Sequence, residues 1–207
     1  MTLRQRGFLF DPNRCLGCRT CIMACAANKN LPVGMYFRTI ENQEQKIGNL
    51  ILKYYLSTSC NHCNNPECFR LCPKKALKKR KDGIVLHDPL KCDGCGTCTR
   101  SCPFEAPVIN NITGKMIKCD LCHEKIDEGK QPACIAACPV KALQLINIDE
   151  IDSQADDIVR RLPGVIKIQI TRPAMRYKKL KIGSQALRNS VADNLEQGEL
   201  KYKDDQV

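Results

Sequence analysis

The sequence predicts an α+β fold built from two interleaved units with a cysteine-free C-terminal arm, and three observations predict it. Sixteen cysteines in 207 residues fall into four groups of four with none left over. Short apolar runs broken by Asp-Gly and Thr-Gly turn signals separate the later groups. After Cys138 the chain has no further cysteine.

The composition narrows the class. Hydrophobic residues make up 43% of the chain, but aromatic ones only 5%, with no Trp. That is thin material for an ordinary core, so the cysteines must supply part of the organisation. Met1 to Arg14 contains Arg4 and Arg6 without an apolar stretch behind them, so no secretory signal is expected. No run approaches the length of a membrane span. Cysteines at this density in a chain made in a reducing compartment point to metal rather than to disulfides.

Group one is Cys15, Cys18, Cys21 and Cys25, spaced x2, x2, x3. Group two is Cys60, Cys63, Cys68 and Cys72, and group three is Cys92, Cys95, Cys98 and Cys102. Group four is Cys119, Cys122, Cys134 and Cys138. Pro73, Pro103 and Pro139 follow the last three groups. Groups one and three have the spacing of bacterial ferredoxins, which bind [4Fe–4S] clusters. Three cysteines at x2 intervals share one tight loop whose N–H groups turn toward the cluster sulfurs. The fourth enters a short helix, points the other way and serves the neighbouring cluster, and the Pro after it fixes φ. Groups two and four are the same device with insertions.

Other readings use the same residues. Cys60/Cys63, Cys92/Cys95 and Cys119/Cys122 have zinc-knuckle spacing, but zinc does not need the third and fourth cysteines of each group. Disulfides suit poorly cysteines that crowd one centre. Cys119 to His123 matches a haem c attachment motif, yet both its cysteines are needed to complete a set of four. The formal charge of +11 suggests nucleic acid or membrane until the clusters are counted. Each oxidised cluster with its thiolates adds about −2, so four bring the holoprotein to about +3.

The elements follow in order. CPKKAL at Cys72 to Leu77 recurs as CPVKAL at Cys138 to Leu143. Asp82-Gly83 predicts a hairpin with Ile84, Val85 and Leu86 on one arm covering the clusters. Thr113-Gly114 predicts another between Val108–Ile112 and Met116–Ile117. Short helices are expected after each cysteine group. Groups two and three, separated only by Pro73 to Lys91, form one ferredoxin-like unit, residues 50–117. Groups one and four pair around it as an outer unit, residues 1–49 and 118–150. Exchange of fourth cysteines then predicts four ligand sets. They are Cys15, Cys18, Cys21 with Cys138; Cys119, Cys122, Cys134 with Cys25; Cys60, Cys63, Cys68 with Cys102; and Cys92, Cys95, Cys98 with Cys72.

Residues 151–207 are expected to be a C-terminal extension, partner-binding or partly disordered. Within it and just before it, Asp149–Arg161 reads as an amphipathic helix stopped near Pro163-Gly164. Val165–Thr171 reads as a strand ended by Pro173, and an extended tail is expected beyond Lys178. The basic run Lys74, Lys75, Lys78, Lys79, Arg80, Lys81 is either a solvated hairpin or a docking patch. His62 and His123 adjoin ligands without being needed as ligands.

These residues make the chain resemble a known family. The opening stretch Gly7 to Cys18 (GFLFDPNRCLGC), Tyr54 to Cys63 (YYLSTSCNHC) and Gly114 to Cys122 (GKMIKCDLC) resemble the iron–sulfur subunit of dimethyl sulfoxide reductase-type enzymes. The resemblance covers residues 7 to about 150 and extends to relatives serving polysulfide or thiosulfate reductases, formate dehydrogenases and nitrite reductases. Nitrate reductase relatives replace a group-three cysteine and hold a three-iron cluster. Cys95 keeps that position here, which implies four [4Fe–4S] clusters.

The resemblance implies a non-catalytic subunit between a molybdopterin catalytic subunit and a membrane anchor that oxidises menaquinol. Electrons would enter at the cluster of Cys92, Cys95, Cys98 and Cys72, cross those of Cys60 and Cys119, and leave from that of Cys15. The complex is expected on the outer face of the cytoplasmic membrane, by co-export with the catalytic subunit, with a cytoplasmic-facing complex as the alternative. A stand-alone polyferredoxin, a subunit of another cytosolic oxidoreductase and a zinc-stabilised interaction module are the competing classes.

Overall fold

The computed structural model describes residues 4–47, 50–154, 156–163, 165–168 and 170–181. In chain order these form β1 (Arg6–Phe10), α1 (Thr20–Asn28), β2 (Arg38–Ile47), β3 (Leu50–Ser59), α2 (Glu67–Arg70), β4 (Leu77–Lys79), β5 (Val85–His87) and α3 (Thr97–Ser101). There follow β6 (Val108–Ile109), β7 (Met116–Ile117), α4 (His123–Asp127), α5 (Ala133–Ala136), β8 (Leu143–Asn147), α6 (Ile148–Gln154), β9 (Ile158–Val159) and β10 (Met175–Lys178). The expected α+β class is what these elements make.

The helices sit inside the cysteine groups rather than after them. Each of α1, α2, α3 and α5 begins just before the third cysteine of its group, and the fourth lies at or beyond its end except in α1. The difference in α1 has a local cause. Group one has no Pro after its last cysteine, so the helix continues through Cys25 to Asn28. α1 packs against α5, and α2 against α3.

Both predicted hairpins are present, as β4–β5 with Leu77 opposite His87 and as β6–β7 with Val108 opposite Ile117. A larger antiparallel hairpin, β2–β3, was not predicted; it pairs Arg38 with Ser59 at one end and Ile47 with Leu50 at the other. Its alternation lies in β3, where Leu52, Tyr54 and Leu56 are buried while Ile51 and Tyr55 face out. The β2 strand is rich in Glu and Gln and hides the pattern.

The remaining sheet has the order β8-β1-β10-β9. β1 runs antiparallel to β8 and parallel to β10, with Phe8 opposite Met175 and Phe10 opposite Tyr177. Phe8, Phe10, Leu52, Tyr54, Leu56, Leu121, Leu143, Met175 and Tyr177 form the main core with six cysteines among them.

Two expectations for the C-terminal segment need correction. The helix expected over Asp149–Arg161 is only α6, ending at Gln154, and Ile158–Val159 is a strand. Asp156 and Asp157 lie where a longer helix would have its C-terminal half, and acidic residues there oppose the helix dipole. Val165–Thr171 forms no strand among its described residues, and Ile166 and Ile170 are exposed. The strand starts after Pro173 instead, because Met175, Arg176 and Tyr177 are all buried and only a central position accommodates that. The tail expected beyond Lys178 lies, from residue 182 on, outside the described residues.

Candidate metal centre

Each cysteine loop is shaped by a residue in the left-handed region just before its second cysteine. These are Gly17 (φ 68), His62 (φ 42), Gly94 (φ 75) and Leu121 (φ 58). A backbone turned this way aims successive N–H groups at one point and makes an anion-binding concavity. Gly suits the position, whereas a bulky Leu held at positive φ is uncommon and requires support. Leu121 has that support, being fully buried in the core.

A second motif repeats three times after the fourth cysteine, as Cys-Pro-x-x-Ala. The N–H of Lys75, Glu105 and Lys141 donates to the carbonyl of Cys72, Cys102 and Cys138 respectively, at 3.1, 3.1 and 3.2 Å. The third residue after each Pro-preceding cysteine thus sits at positive φ. The Ala next in line turns its N–H onto the cysteine sulfur, at 3.3 Å for Ala76 to Cys72 and for Ala142 to Cys138. Ala106 does the same to Cys102 and lowers the affinity of that thiol for its proton, although burial raises it more. Groups one and three share another donor: Thr20 Oγ1 and Thr97 Oγ1 lie 3.4 Å from Cys18 Sγ and Cys95 Sγ.

Three cavities are each lined by four cysteines. Cys25, Cys119, Cys122 and Cys134 line one. Cys72, Cys92, Cys95 and Cys98 line a second. Cys60, Cys63, Cys68 and Cys102 line a third. Cys15, Cys18, Cys21 and Cys138 form a more open group, in which Cys138 acts electrostatically on both Cys15 and Cys21. In each of the three cavities the fourth cysteine of one group, Cys25, Cys72 or Cys102, lines the space with three cysteines of another group. All sixteen are free thiols.

The donor set fits an iron–sulfur cluster. Four soft sulfur ligands around a cavity, with N–H groups aimed at the sulfurs, is the environment such clusters need. Among the described residues no three His, Cys, Asp or Glu side chains converge closely enough for one metal ion. As bare thiols they are costly to ionise: burial pushes Cys25, Cys63 and Cys68 up to about 12 and Cys21 to about 11, neighbouring cysteines adding to the rise. Bound metal removes that proton outright.

Several residues at the cavities were not singled out in the sequence. Arg38 is 1% exposed, lines the Cys25 cavity and has its guanidinium 4.6 Å from the Phe8 ring. Burial alone would pull its pKa down, but Cys134, Cys119, Cys21 and Cys25 hold it above its usual value. Lys118 is buried with Nζ 3.8 Å from Cys60 Sγ. Thr171 lines the Cys60 cavity from the C-terminal segment, and the N–H groups of Asn64 and Asn65 donate to the carbonyls of Arg172 and Thr171. Lys118 had a sequence signal in its place beside Cys119; Arg38 and Thr171, far from any cysteine, had none.

His62 is buried, and its Nδ1 accepts the N–H of Val85 at 3.1 Å, so it pins the group-two loop to β5. Burial holds its pKa well below the usual value. His123 lies 3.3 Å from Asp120. The basic run divides: Lys79 Nζ donates to the Cys63 carbonyl at 3.2 Å, and Arg80 is paired with Asp82 and Asp127. Those two are structural. Among the described residues no helix is long and apolar enough to cross a membrane.

Comparison with known proteins agrees with this chemistry. Residues 51–148 match the family model of the 4Fe-4S dicluster domain, and residues 8–30 that of a 4Fe-4S binding domain. The sequence is 38% identical over 182 residues to the B subunit of anaerobic dimethyl sulfoxide reductase from Escherichia coli (strain K12), covering 84% of this protein and 88% of that one. It is 40% identical over 158 residues to the corresponding subunit of Haemophilus influenzae, covering 72% and 77%. It is 35% identical over 155 residues to the thiosulfate reductase electron transfer subunit PhsB of Salmonella typhi, covering 72% and 80%. With sixteen cysteines and two 4Fe-4S family matches, its cofactors are four [4Fe–4S] clusters. The protein belongs to the family of iron–sulfur electron-transfer subunits that includes the B subunits of the anaerobic dimethyl sulfoxide reductases.

Proposed function

We propose that this protein relays electrons through four [4Fe–4S] clusters between a quinol-oxidising membrane anchor and a molybdopterin catalytic subunit of a dimethyl sulfoxide-type reductase. It does no bond-making chemistry itself. The observation that carries the reading is the four foursomes of cysteines, arranged so that each neighbours the next. Cys21 and Cys134 interact electrostatically, as do Cys119 and Cys60, while α2 leads from Cys68 to Cys72.

The ligand sets of this reading are those with the fourth cysteines exchanged. Bound clusters supply reversible one-electron transfer. The residues of the protein hold them at fixed spacing, exclude water from the inner two, and set their potentials through N–H donors and charge. Packing of α1 on α5 and of α2 on α3 supports an outer unit (1–49 and 118–150) around an inserted one (50–117). β10 joins the outer unit's sheet beside β1, so the first part of the extension 151–207 completes that unit.

Two ends are open to partners. Cys18 and Cys95 are exposed, whereas Cys119, Cys122, Cys60 and Cys63 are buried. Exposed Leu16 and Met23 flank group one, and exposed Leu71 and Leu90 flank Cys72 and Cys92. The reading sets the catalytic subunit at the Cys18 end and the anchor at the Cys95 end, with the complex on the outer face of the membrane. A thiosulfate or polysulfide reductase is the second reading, favoured by the 35% identity to PhsB.

The test is a Cys138→Ser variant studied by anaerobic EPR together with iron analysis. The wild type should hold about sixteen iron atoms per molecule. The variant should alter the cluster of Cys15, Cys18 and Cys21 and spare that of Cys119. The opposite result would refute the exchange. Co-purification with a molybdenum-containing subunit supports the relay, and isolation of a lone soluble protein active with several partners would overturn it.

A further inference from the structure

Buried charge in this molecule is unevenly partnered. Among the described residues three cationic side chains are buried, Arg38, Lys118 and Arg176. Arg176 is paired with Asp152 at 2.7 Å. Neither Arg38 nor Lys118 lies within ion-pair distance of any described carboxylate.

Arg38 donates from Nη1 to Ser57 Oγ at 2.9 Å, while Nη2 is buried with no hydrogen-bond partner. It lines the cavity of Cys25, Cys119, Cys122 and Cys134. Lys118 Nζ donates to the carbonyls of Val85 and Cys119 (2.7 Å for the latter) and reaches Cys60 Sγ at 3.8 Å. One cation therefore sits against the second foursome, and the other between the second and the third. A cation buried without a counter-charge is unfavourable. The clusters supply the counter-charge that Arg38 and Lys118 otherwise lack. An oxidised cluster with four thiolates carries about −2, and uptake of one electron from the neighbouring cluster makes it about −3. A fixed positive charge nearby favours the more negative state.

We propose that Arg38 and Lys118 set the potentials of the two inner clusters. Arg38 raises that of the cluster held by Cys25, Cys119, Cys122 and Cys134; Lys118 raises that of the cluster held by Cys60, Cys63, Cys68 and Cys102. They touch no substrate and act through the clusters, as positioning residues for charge. The inference rests on the ligand sets of the proposed function.

The test is an EPR-monitored potentiometric titration of the anaerobic holoprotein, at full length, in five forms: wild type, Arg38→Gln, Arg38→Lys, Lys118→Met and Lys118→Arg. Each charge-removing variant should make one cluster harder to reduce, by about tenfold or more in its equilibrium constant, which is 59 mV for a one-electron couple. The cluster moved most should differ between the two variants, with a smaller shift at the adjoining cluster, that of Cys21 for Arg38 and that of Cys119 for Lys118. Arg38→Lys and Lys118→Arg should stay within about threefold of wild type. Unmoved midpoints in the charge-removing forms would overturn the proposal, as would an equal shift in the charge-conserving forms, which marks a packing role. If the charge-removing forms lose a cluster altogether, the charge-conserving pair decides: four clusters at wild-type midpoints support the proposal, and loss there sinks it. Failure of the underlying reading looks different. It appears in the wild type, as fewer than four clusters, or in Cys138→Ser, as a change at the wrong one.

Discussion

A Cβ built on Gly94 would collide with the Gly114 carbonyl oxygen, and the residue's φ of 75° already disfavours any side chain. The loop of Cys92 to Cys98 is thus pressed against the turn of the β6–β7 hairpin with no room for a methyl group. Gly94→Ala should push the hairpin away and cost the cluster of Cys72, Cys92, Cys95 and Cys98 alone. Iron content should fall from about sixteen to about twelve atoms per molecule, with the other three EPR signals kept. At this scale the sequence was most readable. Cysteine spacing and the Pro after Cys72, Cys102 and Cys138 are local signals for local geometry. Arg38 and Thr171 were not readable, because one arrives on β2 and the other on the C-terminal segment, and neither has a cysteine nearby in the chain.

The elements divide in the same way. Asp82-Gly83 and Thr113-Gly114 announced β4–β5 and β6–β7, because a hairpin turn is written in the residues that make it. The strand β10 was misplaced, since its only partners, β1 and β9, are set by tertiary packing and its three buried residues show no alternation. What secures it is visible in the fold: Arg176 in β10 is bound by Asp152 at the end of α6. Burial would raise the pKa of Asp152, but hydrogen bonds and charge from Arg176, with Arg160, hold it below its usual value. A depressed carboxylate contributes stability above its unfolded pKa of about 3.9 and loses it as pH falls through the lower folded value. Asp152→Asn should therefore cost about 1–3 kcal/mol in denaturation of the anaerobic holoprotein. The gap from wild type should be flat from about pH 5 to about pH 8 and close only in stronger acid.

Across the whole molecule the cysteines differ in exposure: Cys18 and Cys95 are exposed, whereas those of the two proposed inner sets are buried except Cys102, which is half-buried. Air admitted to the isolated protein should destroy the two terminal EPR signals before the two inner ones, and a time course of signal loss measures the order. Simultaneous decay of all four would contradict that order. The formal +11 has a similar spatial reading, since two of its cations are not on the surface at all but inside, next to cysteine sulfur. The parallel pairing of β1 with β10 has a consequence in time rather than in space. Asn13 hydrogen-bonds to Lys179 across 166 residues, and Phe8 waits for Met175. A ribosome that has delivered residues 50–117 has already supplied every cysteine of groups two and three. The first strand must meanwhile remain with a bare edge until nearly the last described residue has emerged. A polypeptide stalled before residue 175 is therefore left with its first strand open to the wrong neighbour.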